Sequence, residues 1–196
     1  MDNATLLHII ERCRQNDRLY QEKLYRLFYN YGMTVVSRYA SNRDDASEIL
    51  NDAFVRAMQN LDKYKEEFSF KAWFNKILVR SAINHYRRFT LHRIDAQQFP
   101  NENDFSFEPD VFSKLSTEDL LQMVQNLPPA YRLSFNLYAI EGYTHPEIAD
   151  MLGISEGTSK SNLSKARAKL VQMLQEQDAF RHKKMTPPSV AAKKQQ

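Results

Sequence analysis

Between Thr144 and Leu170 the chain presents residues whose types and offsets suit contact with duplex DNA. Thr144, with Glu147 three positions on, has the form of a capping box, and Pro146 is tolerated in a first helical turn. Gly153 falls where a sharp turn is needed, and Ser155 can cap a second helix. At 100° per residue, Leu163, Ala166, Leu170 and Leu174 share one face of that second helix. Gly157, Thr158, Ser161, Ser164 and Lys165 share the opposite face, which is small, polar and cationic. Bases can approach such a face closely and phosphates are attracted to it. An ordinary helix hairpin with a solvated outer face shows similar polarity. The capping box, turn glycine and second cap occur together at the offsets of a helix-turn-helix, which favours major-groove recognition.

A second group of residues suits unpaired nucleotides. From Phe70 to Arg88 the periodicity predicts a helix with two apolar stripes, one of Phe70, Trp73, Phe74, Ile77 and Ser81, the other of Val79, Ile83 and Tyr86. Lys76, Arg80 and Arg87 form a basic ridge between them, beside the loop Tyr64–Phe70. Burial in a bundle accounts for Trp73 and Phe74, which read as core. The ridge reads equally as a solvated face or as a phosphate track, because aromatic groups near cations stack on bases tolerantly. A base pulled from the duplex stack costs a few kcal/mol, which stacking and hydrogen bonds can offset.

Catalytic and metal chemistry find no support. His8, His85, His92, His145 and His182 are scattered, and no glycine-rich phosphate loop or nucleophile elbow occurs. Adjacent Glu66 and Glu67 read as solvated charge. Cys13, the single cysteine, lies in the apolar pattern of Leu6, Leu7, Ile9 and Ile10 and reads as a buried thiol. No metal site, cofactor or small-molecule substrate is expected. The start of the chain lacks a signal segment and no run is long enough to span a bilayer, so the expected setting is cytoplasmic, without membrane insertion.

The elements that must position these groups are helical. Glycine numbers only 4 in 196 residues and strand-like alternation is nearly absent, which predicts an all-α fold. The net charge of +3 is too small to indicate a nucleic-acid partner by itself. Helices are expected over about 5–13, 19–39, 46–60 and 70–88, the third capped from the cluster Ser41–Asp45. That third helix has an outer face of Asp45, Glu48, Asp52, Val55, Arg56 and Gln59. Acidic residues and prolines accumulate over 89–115, where periodicity fades. The expected organisation is two small helical domains, 1–88 and 116–176, joined by a flexible acidic linker, 89–115, and followed by a disordered basic tail, 177–196. The helix-turn-helix belongs to the second domain.

Several segments together resemble a known family. They are Asp44–Phe54, Phe70–Ile77, Leu127–Arg132, Glu147–Ala149, Gly157–Ser161 and Lys165–Arg167. In that order and spacing they look like the two modules of bacterial RNA polymerase sigma factors, and with nothing between them, like the extracytoplasmic-function (ECF) subfamily. The resemblance spans about 17–175. Two departures stand out: Asn51-Asp52 where Gln-Glu is common, and Ser159 where an aliphatic residue is usual.

The resemblance implies roles and partners. The helix bearing Asp45, Glu48, Asp52 and Val55 would bind the clamp coiled coil of the largest subunit of core RNA polymerase. Phe68, Lys76, Arg80, Asn84 and Arg87 would capture and open the promoter −10 element. Thr158, Lys160, Ser161, Ser164 and Lys165 would read the −35 element. The linker would occupy the polymerase's nucleic-acid channels, and an anti-sigma factor would be a further partner. Function would then be non-catalytic: directing core polymerase to a promoter class. Two rivals remain at this point, a free-standing helix-turn-helix regulator that never joins polymerase and a purely protein-binding adaptor.

Overall fold

The computed structural model describes residues 2–89 and 117–185, and every regular element among them is helical. Helix α1 spans Asn3–Arg14, α2 Arg18–Ser37, α3 Arg43–Gln59 and α4 Phe70–Phe89, with a 3₁₀ turn at Leu61–Lys63. Short polar side chains start three of them. Asp2 accepts from the Thr5 amide at 2.7 Å, Asp17 from Leu19 at 3.1 Å and Asn42 from Asp45 at 2.8 Å. Leu24, Leu50, Phe74 and Leu78 are fully buried where α2, α3 and α4 meet. Rings of Phe54 and Phe74 lie 4.7 Å apart, and those of Phe28 and Phe70 4.8 Å apart. Gly32, in the C-terminal half of α2, allows this approach: a Cβ there would lie within 3 Å of a Leu50 methyl, at 2.4 Å.

The second module comprises α5 (Thr117–Gln125), α6 (Pro129–Phe135), α7 (His145–Leu152) and α8 (Glu156–Met185). Pro129 opens α6, where its missing amide costs nothing. A π turn, Asn136–Ile140, continues α6 and was not expected from the periodicity. Met123, Val124 and Leu127 pack against Ala166, Leu170 and Leu174, which with the buried Leu163 make up the inward stripe expected of the second helix. That helix outruns the expected end of the domain at 176 and reaches Met185. Residues 177–185 include good helix formers and neither glycine nor proline, so nothing stops the helix before Pro187. The linker expected over 89–115 lies outside the described residues except for Phe89, as does the tail beyond Met185.

The two modules also share a core. Leu133, Leu137, Ile148 and Leu152 belong to one buried cluster with the side chains of α1–α4. In this structure the two modules are docked against one another. No described helix is long and apolar enough to cross a membrane.

Candidate nucleic-acid interface

The helix-turn-helix is built as its residues dictate. Glu147 accepts from the Thr144 amide at 2.8 Å and from its hydroxyl at 2.7 Å, and both bonds hold the Glu147 carboxyl below its ordinary range. Gly153 closes α7 in the left-handed conformation, with φ 68°. Ser155 Oγ accepts from the Thr158 amide at 3.0 Å and bonds the Thr158 hydroxyl at 2.8 Å. Ser159 is fully buried, its hydroxyl 3.0 Å from His145 Nδ1, and His145 stacks on Tyr138 at 4.6 Å. One hydrogen bond thus ties the start of α7 to the first turn of α8.

On the outward side Thr158 and Lys160 are exposed, while Ser161, Ser164 and Lys165 are half-buried. Lys160 is paired with Glu156 at 2.7 Å, so much of its field is compensated locally. The Arg167 guanidinium lies 5.8 Å over the Tyr138 ring, a cation that the face count from the sequence did not single out.

The first module presents its ridge along α4. Lys76, Arg80 and Arg87 are exposed and Asn84 is half-buried, spaced four, four and three residues apart on one side of the helix. Phe68 is 62% exposed, unlike the buried aromatics around it. Its loop is held from beneath: Tyr64 is buried against Phe70 and Trp73, and its hydroxyl donates to the Phe68 carbonyl at 2.8 Å. Arg14 anchors the same loop through the Tyr64 carbonyl at 2.9 Å. Trp73 itself is half-buried and packs against the core, whereas Phe74 lies within it.

Helix α3 presents Val55 at 56% exposure, with Glu48 exposed and Asp45 and Asp52 half-buried. Asp52 is paired with Arg88 at 2.7 Å, and Glu48 lies 3.8 Å from His85. Cys13 is buried, and desolvation first, then Asp17, raises its thiol to about 11, which keeps it protonated near neutral pH. No cluster of metal-ligating side chains occurs among the described residues.

Two family models match the chain in this order: sigma-70 region 2 over residues 20–90 and sigma-70 region 4 over residues 117–170. The chain belongs to the ECF sigma factors of the sigma-70 family. Among its relatives is the ECF RNA polymerase sigma-E factor of Haemophilus influenzae, 25% identical over 85% of this chain and 94% of the relative. RNA polymerase sigma factor SigZ of Bacillus subtilis is 27% identical over 79% of this chain and 86% of its own. Among solved structures, the sigma factor RpoE of Bartonella quintana, in complex with the anti-sigma factor NepR, aligns with a TM-score of 0.47 and 22% identity. It covers 80% of this chain and 97% of that one. In this sigma factor, region 2 corresponds to α2–α4 and region 4 to α5 through the first half of α8.

Proposed function

We propose that this sigma factor is a non-enzymatic specificity subunit that joins core RNA polymerase in the cytoplasm and directs it to one promoter class. The single observation that supports this most is the succession of region 2 and region 4 on one chain, each with an exposed polar or basic face. In this reading the α3 face of Asp45, Glu48, Asp52 and Val55 binds the clamp coiled coil. Phe68 and the ridge of Lys76, Arg80, Asn84 and Arg87 capture unstacked −10 bases. Thr158, Lys160, Ser161, Ser164 and Lys165 face the −35 duplex, and an anti-sigma factor restrains the chain until a signal arrives. The domain boundaries are those given above, with 89–115 as tether.

Run-off transcription tests the function. Core polymerase with this chain should initiate at promoter fragments selected from genomic DNA by the pair, and core alone should not. Tight binding of the free chain to those duplexes, without co-purification of core, would instead support a free-standing regulator.

A further inference from the structure

Helix α1 ends short of the stretch that matches sigma-70 region 2, which begins at residue 20, yet its last residue reaches the loop that carries Phe68. Ile10 and Cys13 are buried within the first module's core and fix α1 to it. Asn16 then adopts the left-handed conformation, φ 59°, and donates its amide to the Cys13 carbonyl at 3.0 Å, which ends the helix at Arg14. One Arg14 nitrogen, Nη2, donates to the Tyr64 carbonyl at 2.9 Å. The other, Nη1, lies 3.2 Å from Glu11 Oε2 and 3.4 Å from Glu66 Oε1. An arginine in a last turn that pairs with a glutamate three positions back is ordinary helix chemistry. The bonds to Tyr64 and Glu66, 50 and 52 positions away, serve the loop instead.

The backbone from Tyr64 to Ser69 belongs to no helix, so the direction of an exposed ring on it depends on what holds that backbone. The Tyr64 hydroxyl, donating to the Phe68 carbonyl, and the Phe68 amide, donating to the Lys65 carbonyl at 3.1 Å, close the loop from within. Arg14 grips it from α1, at Tyr64 and at Glu66, with a side chain that is itself half-buried. A charged donor makes the stronger kind of hydrogen bond. A ring already in place captures an extruded base better than one on a slack loop, because ordering the loop on binding would offset part of the stacking.

We propose that Arg14 is a positioning residue for promoter opening, and that α1 thereby belongs to the apparatus that reads the −10 element. Arg14 acts through the loop: it fixes Tyr64, and Tyr64 in turn holds Phe68 where an unstacked base can meet it. The inference rests on the assignment of Phe68 to base capture. Arg14 need touch no nucleotide, so its influence vanishes wherever that of Phe68 does.

Holoenzyme assembled from core and the full chain, titrated with a fluorescent single-stranded oligonucleotide of the non-template −10 sequence, reads the effect directly. Arg14→Gln removes the charge, and Arg14→Lys keeps it but loses the two-nitrogen fork that serves Tyr64 and Glu66 together. Arg14→Gln should weaken oligonucleotide binding at least about fivefold, comparable with the loss of a stacking contact, and Arg14→Lys about threefold. Binding to core and to the −35 duplex should match the parent's. In a Phe68→Ala background neither substitution should add to the loss, because the two residues act as one unit. Parent-like oligonucleotide binding by both Arg14 variants, alongside a weakened Phe68→Ala, would overturn the positioning role alone. A full further loss in the Phe68→Ala background would overturn it too, since general destabilisation adds whereas positioning does not. Parent-like binding by Phe68→Ala would overturn the −10 assignment and the inference with it. Should Arg14→Gln lose helicity, Arg14→Lys decides by the same criteria.

Discussion

Ser159 occupies a fully buried site where an aliphatic residue is usual in this family, and a buried hydroxyl is costly without a partner. His145 supplies that partner from 14 positions upstream. The imidazole is held toward its neutral form, below the ordinary 6.5, by desolvation first and then by Lys160 and Arg167, with Glu156 opposing. The unfolded chain therefore binds the proton more readily. Stability of the helix-turn-helix should be complete above pH 6.5 and decline as pH falls below it. Melting at pH 7.5 and 5.5 checks this: the parent should lose more stability on acidification than His145→Gln, and equal losses would contradict the assignment. Lys165 and Lys160 should separate by kind of contact. Lys165→Ala should reduce discrimination among −35 sequences by about 1–3 kcal/mol. Lys160→Ala should weaken all duplexes alike and only slightly, because Glu156 already pairs with it. Titrations against specific and random duplexes at several salt concentrations measure both. The outward face of α8 was legible from residue spacing, whereas the Ser159–His145 bond was not, since it depends on how α7 and α8 pack.

At the scale of elements, caps and periodicity located the helices well, because Asp17, Asn42, Thr144 and Ser155 act on neighbours within a turn. The π turn at Asn136 was invisible for the opposite reason. Its buried amide serves the Arg38 carbonyl, 98 positions away. Gly32 likewise gives no local signal in the sequence, yet its missing side chain sets how closely α2 meets Leu50 and Leu78. Gly32→Leu should destabilise the first module by about 1–3 kcal/mol through overpacking, read as an earlier denaturation midpoint. An unchanged midpoint would mean that α2 does not pack as described. The acidic side of α3 carries its own prediction. Glu48→Lys with Asp52→Lys should weaken core binding while preserving helicity, because the Asp52–Arg88 pair is too exposed to matter much to folding. Core binding equal to the parent's would remove the clamp from that face.

For the whole molecule, the order of two helical modules was legible because each has its own motif run. The docking of one on the other was not, since the bonds of Arg38 to Glu141 and of Arg132 to the Ala40 carbonyl join residues 103 and 92 positions apart. Two docked modules cannot engage two separated promoter elements, so the free chain should be a poor promoter ligand and polymerase must supply the separation. The tether contributes only a modest effective concentration by comparison with a rigid scaffold. Glu102, Asp104, Glu108 and Asp110 within it add repulsion toward DNA. The central claim is that this sigma factor opens promoters only as a subunit of polymerase, using Phe68 and the α4 ridge. Its most direct test is a fluorescent base analogue placed in the non-template −10 strand of a promoter that the holoenzyme selects. The signal should rise when core and chain are added together, stay flat with either alone, and fall at least about tenfold in a Phe68→Ala, Arg80→Ala variant, as loss of base stacking implies. A rise produced by the isolated chain, or full opening by holoenzyme bearing both substitutions, would contradict the account.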